Sequence, residues 1–377
     1  MEKIAASLLA TAGIACAQTY NYDSSSETLV ITGKGNTVAD RITPEEPITP
    51  GSTVPGTSEI FGDTKEIILK DVWTSPDSIR IKYVEPTSEG NNTTLKLENS
   101  RLGASGDFDK GGTGLILILD SQSRLDLFGN RLTNTIRIEN QGHISCSNST
   151  VRENSYLWDN KTTTGSSGVL GGSGYYRFGN VSSIETDKDF GLIKTSGQIT
   201  DLEISGIYNV DGNSAKTIGD DAYIVGVNTS SSSDGQAMTI SGSLTIEAKQ
   251  GTGIGILANQ LGSDDVSLKN DYSGQIYVTA KDAFGVKVGK NAAKDPSAAG
   301  DIYSLSVGGL DINNTITSGS TQGEATGIYA KSVKRDLTAD AITVEGYTSA
   351  TGIHLTEGGR NLTISDMQVS ARNATAT

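Results

Sequence analysis

Two short stretches near the end of the chain decide its fold: "ATGIYA" at Ala325–Ala330 and "ATGIHL" at Ala350–Leu355. They share an Ala-Thr-Gly-Ile tetrapeptide, which begins at Ala325 and begins again at Ala350. Similar apolar residues surround a glycine in three earlier stretches, "YIVGVN" at Gly226, "GTGIGILA" at Gly253 and "AFGVKV" at Gly285. A unit that recurs in this way is typical of a repeat architecture, in which each unit contacts only its neighbours.

The spacing of these marker glycines varies along Gly226, Gly253, Gly285, Gly327 and Gly352, and it is widest between Gly285 and Gly327. Before each marker the chain holds short segments in which apolar and polar residues alternate, such as "MTISGSLTIEA" ahead of Gly253. The additional residues fall in polar stretches, so strands of similar length are joined by variable loops. This pattern predicts a parallel β-helix, a solenoid with irregular coils and loop insertions.

The composition also favours an all-β fold. The 377 residues include 45 Gly and only 7 Pro, and aromatic residues make up 6%, which predicts many turns and a core of Ile, Val, Leu and Ala. An array of β-sandwiches is the alternative, and it would need regular hairpin turns. Asp-Gly occurs at Asp211-Gly212 and Asp234-Gly235 without a regular spacing. Strands are predicted in alternating runs such as "TLVIT", "KEIILKDV", "SIRIKYV", "TTLKLEN", "GLILILD", "SRLDLFGN" and "NTIRIEN".

The predicted fold gives a physical reason for the marker glycines. Alternate residues of each coil would face a narrow interior, which predicts that branched aliphatic side chains fill it and that large aromatic ones are scarce there. Each marker glycine would lie where the backbone bends from one sheet to the next. At such a bend a Cβ atom would crowd its neighbours, or φ would have to be positive.

Residues 1–17, "MEKIAASLLATAGIACA", have the layout of a cleavable signal peptide: Lys3, an apolar run from Ile4 to Ala15, and a small-x-small ending. Cleavage is predicted before Gln18. A competing interpretation makes Cys16 the lipid-modified first residue of a lipoprotein. If Cys16 leaves with the signal, Cys146 is the one remaining cysteine and no internal disulfide can form.

The rest of the chain divides into three predicted parts. Residues 18–56 hold one strand and a Pro-rich segment, "RITPEEPITPGSTVPG". Residues 57–198 form an irregular β-rich or β-helical portion, in which Ser145–Gly174 is polar and Gly-rich and is predicted to be a loop. Residues 199–377 form the repeat β-helix portion. This portion ends inside a sixth unit, which predicts truncation at the C-terminus.

Charge narrows the classes of partner. The formal net charge is −14 and the pI is near 4.6, and the longest basic block is "KSVKR" at Lys331–Arg335. Because a nucleic-acid partner requires a basic face, nucleic acid is not predicted. No segment after the signal reaches about 18 consecutive apolar residues, so no membrane span is predicted.

The sequence predicts no catalytic, cofactor-binding or metal-ligating residue, and therefore no cofactor. Only two histidines are present, His143 and His354, and Tyr329 takes the place of His354 in the preceding unit. A position that alternates between histidine and tyrosine is typical of a partly exposed strand residue. No spaced Cys or His motif for zinc is present.

Two acidic pairs, Asp220-Asp221 and Asp264-Asp265, could bind calcium or serve as paired acids, but aspartate is common in turns for local reasons alone. "GTGIG" at Gly251–Gly255 resembles a phosphate loop, although no helical pattern follows it and it aligns with the marker repeat. No nucleophile motif of a serine protease occurs. The chain is therefore predicted not to be an enzyme.

The signal sequence, the near-absence of cysteine and the repeats "GTGIGILA", "ATGIYA" and "ATGIHL" resemble the passenger region of bacterial autotransporters, the adhesins of type V secretion. The resemblance covers most of the mature chain, above all from Ile199 onwards. It implies a right-handed β-helix that is displayed at, or released from, the surface of a Gram-negative bacterium. It also implies a C-terminal outer-membrane barrel, which is expected in a region missing after Thr377.

The function that follows is structural and adhesive. A rigid rod would present loops such as Ser230–Gly235 and Lys290–Gly300 to glycans or proteins of host or neighbouring cells. The rival function is that of a secreted β-helix polysaccharide lyase or hydrolase. That enzyme would need Asp, Arg and Lys clustered on one exposed strand face across three or more coils.

Overall fold

The structure is a computed structural model of the 377-residue chain. It describes residues 19–23, 25–33, 65–73, 93–105, 115–128, 135–147, 150–152, 155–160, 166–171, 173, 175–179, 181–195, 199–213, 215, 217–219, 222–230, 236–266, 268–289, 299–314, 323–372 and 375–376. These residues form an all-β molecule without a helix. Within them there is accordingly no helix that could span a membrane.

The strands are short in the first half and become long in the second, where the alternating segments of the sequence join into continuous ladders. In chain order they are β1 (Thr19–Asp23), β2 (Thr28–Thr32), β3 (Glu66–Lys70), β4 (Thr93–Glu98), β5 (Arg101–Ser105), β6 (Leu115–Leu119), β7 (Arg124–Phe128), β8 (Thr135–Asn140), β9 (His143–Ser147), β10 (Thr150–Val151), β11 (Ser155–Asn160), β12 (Ser166–Gly171), β13 (Tyr175–Gly179), β14 (Ser183–Ile184), β15 (Asp189–Thr195), β16 (Ile199–Ile204), β17 (Ile207–Asp211), β18 (Thr217–Ile218), β19 (Tyr223–Thr229), β20 (Gln236–Ile240), β21 (Ser243–Ala258), β22 (Asn270–Val288), β23 (Ile302–Asn314), β24 (Glu324–Gly346), β25 (Ser349–Ala371) and β26 (Thr375–Ala376).

Of these strands, 23 belong to one large sheet, and β10, β14 and β18 form a small parallel sheet beside it. Among the described pairs, β1 against β2 is antiparallel and every other pair is parallel. This arrangement confirms the all-β, mostly parallel part of the predicted fold, and it is compatible with a β-helix.

Parallel pairing runs along three tracks. The first joins β2, β3, β4, β6, β8, β12, β16 and β20, the second joins β5, β7, β9, β13 and β17, and the third joins β11, β15 and β19. The long strand β22 belongs to all three. Its beginning pairs with β20, residues 275–280 pair with the start of β21, and residues 282–288 pair with the end of β21.

The core is built from columns of inward side chains in register. On the second track one such column is Leu102, Leu125, Ile144, Tyr176, Tyr208, Leu244, Ile276, Leu310 and Ile342, and all of these are buried.

Large aromatic side chains also enter this core, contrary to the expectation that they would be scarce. Trp158 is fully buried, the Tyr176 and Tyr208 rings stack at 4.6 Å, and the Phe178 and Phe190 rings stack at 4.1 Å. Few aromatic residues occur in the sequence, but these five buried ones lie close together in the chain, between Trp158 and Tyr208.

The strand register shows that one of the predicted marker glycines, Gly253, was chosen wrongly. Val225 pairs with Ile254 and Val227 pairs with Ile256, so Gly255, and not Gly253, lies opposite Gly226. The column continues through Gly285, Gly327 and Gly352. The stretch "GTGIGILA" holds three glycines, and the prediction that Gly253 is the marker was wrong. Gly253 lies in the neighbouring column, which continues through Ala283, Ala325 and Ala350.

A close approach explains the glycine column. A Cβ atom on Gly327 would lie 2.4 Å from the carbonyl oxygen of Gly352 and 2.9 Å from Cγ2 of Ile342. At each of the other four glycines of the column, an added Cβ atom would also crowd a large side chain of the neighbouring track. At Gly226, Gly255 and Gly285 it would crowd the carbonyl oxygen of the next glycine as well. Positive φ, the other reason offered for these glycines, is wrong, since none of them has it.

Alternation slips by one residue at this column. Val225 and Asn228 lie outside the main core cluster, whereas Val227 belongs to it and Gly226 faces Leu244 of that cluster. Two consecutive residues therefore point inwards, as expected where a strand bends. The strands continue through these glycines within one large sheet, so a bend from one sheet to the next stays a prediction.

The prediction of a loop at Ser145–Gly174 is wrong for the described residues, which form β10, β11, β12 and the end of β9. Its composition is polar, but Tyr156, Leu157 and Trp158 are completely buried, and their apolar surface outweighs the polar neighbours. The sheet also continues across residue 199, because β12 pairs with β16 and β13 with β17. The predicted signal peptide, the Pro-rich segment and the run "SIRIKYV" lie outside the described residues.

Candidate functional site

A column of basic and aromatic residues runs along the outer face of the second track. Register places Trp73 beside Arg101, Arg101 beside Arg124, Arg124 beside His143, and His143 beside Tyr175. The residue after each of the last four is a buried core residue, so these side chains face outwards. We refer to these five residues as the basic–aromatic ladder. At the usual strand separation it extends over about 19 Å.

Three members of the ladder follow a small residue: Ser100 precedes Arg101, Ser123 precedes Arg124, and Gly142 precedes His143. A Cβ atom on Gly142 would lie 2.2 Å from the carbonyl oxygen of Ser123. Ser123 and Ser100 are buried, and the Oγ atom of Ser123 accepts a hydrogen bond from the Ser100 backbone N–H at 3.0 Å. Successive strands are thus held closely at the point where the outward column begins.

The first two residues of the ladder form a cation–π contact. The guanidinium carbon of Arg101 lies 4.2 Å from the centroid of the Trp73 ring. The indole N–H of Trp73 donates to the carbonyl oxygen of Asn99 at 3.2 Å, which fixes the ring. Arg101 is exposed, and it makes no ion pair with another residue of the described part of the chain. Its guanidinium N–H groups therefore face solvent over an aromatic base.

Acidic residues flank the ladder in the adjacent outward columns. The Nε atom of Arg124 donates to both carboxylate oxygens of Asp126, at 2.9 and 2.8 Å, and the Ser145 hydroxyl also donates to Asp126. Further along the face, Arg177 donates to Asp211 at 3.0 Å. The ladder and the columns beside it therefore carry both positive and negative side chains, with more arginines than aspartates. The net charge of the whole chain, by contrast, is −14.

The surroundings of His143 favour its uncharged form. Burial lowers the pKa of His143 below its ordinary value of 6.5; the cations Arg124 and Arg177 lower the pKa further, and Asp126 opposes them. Its ring packs edge to face on Tyr175 with centroids 5.0 Å apart. Within the described residues the Nε2 atom has no hydrogen-bond partner, so a proton there would gain no acceptor.

This environment predicts a pH dependence of stability. The lowered pKa means that the unfolded chain takes up the proton first as the pH falls below 6.5, so the folded state loses stability there and levels off below the folded-state pKa. We expect His143→Gln to remove this loss, as seen in thermal unfolding between pH 7.5 and about 5. Arg124→Gln should shift the pKa of His143 upwards in an NMR titration. Identical pH profiles for the wild type and His143→Gln would contradict the assignment.

The residues weighed from the sequence are not brought together. Asp264 and Asp265 are exposed turn residues, and the Ser263 hydroxyl accepts a hydrogen bond from the Asp265 N–H. His354 is exposed, with its ring 4.9 Å from that of Tyr329. "GTGIG" lies within β21 and forms no loop. Asp220 and Asp221 lie outside the described residues, among which no group of three metal-ligating side chains occurs.

A second polar cluster is buried at the third track. The Nδ2 atom of Asn228 donates to the hydroxyl of Tyr156 at 2.6 Å and to the Asp189 carboxylate at 3.4 Å. Tyr156 belongs to β11 and Asn228 to β19, with β15 between them. Gly191 of β15 gives the ring its place, since a Cβ there would lie 2.8 Å from Cε1 of Tyr156. All three polar residues are almost fully buried.

The ladder was missed in the sequence because its members differ in type and recur at unequal intervals between Arg101 and Tyr175. A signal was nevertheless present. Ser-Arg-Leu occurs at Ser100 and again at Ser123, and Gly-His-Ile follows at Gly142. Aligning these small–x–apolar triplets would have placed the three side chains in one column.

Comparisons of this chain with family models, with curated proteins and with solved structures give no match.

Proposed function

We propose that the chain is a secreted or surface-displayed, right-handed parallel β-helix that serves as a structural and adhesive rod, like an autotransporter passenger. The basic–aromatic ladder is its contact site for anionic groups of surface glycans. The three tracks support the rod, because β22 passes through all of them as one coil of a three-sided solenoid would. The glycine column supports it too, since it marks the same bend in five successive units.

The observation that carries the adhesive part is the ladder itself. Arginine donates several N–H groups in one plane, a geometry that suits carboxylate and sulfate. Aromatic rings beside it provide flat apolar surfaces for the faces of sugar rings. Arg101 over Trp73 provides this combination, and Arg124, His143 and Tyr175 continue the column at strand spacing. A linear anionic glycan lying along the ladder would meet Arg101 first and then Arg124, whose guanidinium group is also shared with Asp126.

The binding test uses immobilised heparin as a sulfated glycan, polygalacturonate as a carboxylated one and dextran as an uncharged one. We expect the two anionic glycans to bind and the affinity to fall with added salt. Arg101→Gln/Arg124→Gln should weaken binding by about 5- to 30-fold, because each exposed charge pair contributes about 0.5–1 kcal/mol.

The matched control is Arg152→Gln/Arg372→Gln, which removes the same charge from exposed arginines outside the ladder. This control should bind as the wild type does. Equal weakening by both double variants would mean that net charge alone governs binding. Equal affinity for dextran and the anionic glycans would also exclude the ladder as an anion site.

The rival function, a polysaccharide lyase or hydrolase, is favoured by one specific observation. Arg124, Asp126, Arg177 and Asp211 share an exposed face across several strands, which is the arrangement such an enzyme would need. Both carboxylates are already engaged by arginine, so neither is placed as a free base. Incubation with polygalacturonate distinguishes the two functions: binding without release of shortened or unsaturated products supports adhesion, and sustained release supports the enzyme.

A further inference from the structure

A histidine lies inside the basic–aromatic ladder, between strands that carry cations. Arg124 on β7 and Tyr175 on β13 are the register partners of His143. Asp126 and Arg177 are the next outward residues of the same two strands, and both are close enough to influence the charge of the imidazole. The ring is therefore faced by two guanidinium groups, one carboxylate and one phenol.

The cations next to His143 oppose a proton on its ring. Burial is the first cause of its lowered pKa, and Arg124 and Arg177 lower the pKa further, although Asp126 opposes them. An anion that binds at Arg124 would lie about one strand separation, or about 5 Å, from the imidazole. An opposite charge at this distance favours protonated histidine. Binding of the anion and uptake of the proton should therefore assist each other.

A glycan that covers the ladder would also remove water, and loss of water disfavours the charged ring. This opposing effect should be small, because the Nε2 atom of His143 is already shielded from solvent and the ring packs on Tyr175. Little hydration is left to lose at that atom, whereas the negative charge of the glycan is new to the site. The electrostatic effect should therefore be the larger of the two.

We propose that His143 couples the ladder to pH: the imidazole takes up a proton from solvent when an anionic glycan binds, so the ladder holds the glycan more tightly in mildly acidic surroundings. This inference rests on the proposed function of the ladder as an anion site. His143 acts through the negative charge that is held next to Arg124. It does not need to donate to the glycan through its buried Nε2 atom.

The direction of the effect follows from the pKa of His143 in the free and the bound protein. In the free protein this pKa lies below 6.5, and bound anion raises it. Above both pKa values the ring is neutral in either state, and its protonation does not alter the affinity. Between the two values only the bound protein holds the proton, so the affinity rises as the pH falls. Below both values the gain is complete.

The histidine content of the chain allows a matched control. The chain has only two histidines, His143 and His354, and the ordinary pKa of histidine falls between pH 5 and pH 8. His354 is exposed and lies on β25, where it is paired with Tyr329 and with no strand of the ladder. His354→Gln therefore makes the same chemical change as His143→Gln outside the ladder.

The test is the affinity of the 377-residue chain for immobilised heparin at constant salt, between pH 7.5 and pH 5. Heparin is used because its sulfate groups stay charged over this range. The wild type and His354→Gln should bind about 3- to 10-fold more tightly at pH 5, which corresponds to a pKa rise of about 0.5–1 unit on binding. His143→Gln should change by about twofold or less, through carboxylates that begin to protonate.

An NMR titration of His143 with and without heparin provides a second readout. Its pKa should rise when heparin is added, and it should rise less in Arg124→Gln, which lacks the group that holds the anion next to the ring. Thermal unfolding at each pH checks that every variant is folded.

The outcomes separate this inference from the function on which it rests. Heparin binding of equal strength at pH 7.5 and pH 5 would overturn the coupling to pH and leave the ladder as an anion site. So would a gain in affinity that His143→Gln retains, or a pKa of His143 that heparin does not raise. Absence of heparin binding at every pH would overturn the proposed function together with the coupling.

Discussion

Gly255→Ala is expected to lower the free energy of unfolding by about 2–4 kcal/mol, whereas Gly253→Ala, at the preceding glycine, should lower it less, by about 1–2 kcal/mol. The reason is the atom that each new Cβ meets. At Gly255 it would lie 2.5 Å from the backbone carbonyl oxygen of Gly285 and 2.6 Å from Cγ2 of Ile276. At Gly253 the nearest atoms all belong to side chains, the closest being Cβ of Ala280 at 2.8 Å.

The contrast between the two glycines isolates the close approach. The column of Gly253 accepts a methyl group at Ala283, Ala325 and Ala350, and the column of Gly255 holds glycine in every unit from β19 to β25. Thermal and denaturant unfolding followed by circular dichroism measure the two variants. A larger loss for Gly253→Ala than for Gly255→Ala would refute the register-based assignment of the marker glycine and restore the one made from sequence.

The second large effect is expected at Asn228. Asn228→Asp should lower the free energy of unfolding at neutral pH by about 3–5 kcal/mol, because it replaces a donor by a carboxylate beside buried Asp189. The Tyr156 hydroxyl also loses the N–H that donates to it at 2.6 Å. Protonation of the introduced carboxylate removes the repulsion between like charges, so the variant should recover stability as the pH is lowered.

The control for this variant is Asn209→Asp, the same chemical change at a half-buried position opposite Arg177. It should alter the free energy of unfolding by less than about 0.5 kcal/mol. The measurement is chemical unfolding of both variants at pH 7 and at pH 4.5. If Asn228→Asp were as stable as the wild type at pH 7, or lost further stability in acid relative to it, the buried cluster would not have the role described.

Much of the β character was open to prediction from sequence. Strands such as β2, β4, β6 and β7 fall where apolar and polar residues alternate, because one face of each must be buried. The parallel direction followed from the repeat, since units that stack in register cannot pair through short hairpins. The error at Gly253 arose because several glycines stand together in "GTGIGILA", and only the partner strands decide which one faces a carbonyl oxygen.

The candidate site was not open to prediction in the same way. Each member of the ladder is an ordinary exposed strand residue on its own, and its significance depends on which strands become neighbours. Arg101 and Arg124 are well separated in the chain, and pairing of β5 with β7 makes them adjacent. Buried Asp189 is likewise polar in sequence, and only Asn228, on the next strand of the third track, shows why it can be accommodated.

The hydrogen bond from Asn228 to Tyr156 also has a mechanical meaning. It links β11 directly to β19 and passes over β15, where Gly191 leaves room for the ring. A pulling force that separates β11 from the sheet must therefore break this bond together with the backbone hydrogen bonds between β11 and β15. It must also remove the Tyr156 ring from its neighbours in the same step. The bond connects three strands directly, so β11, β15 and β19 are expected to separate under tension later than strands that are joined only to their immediate neighbours.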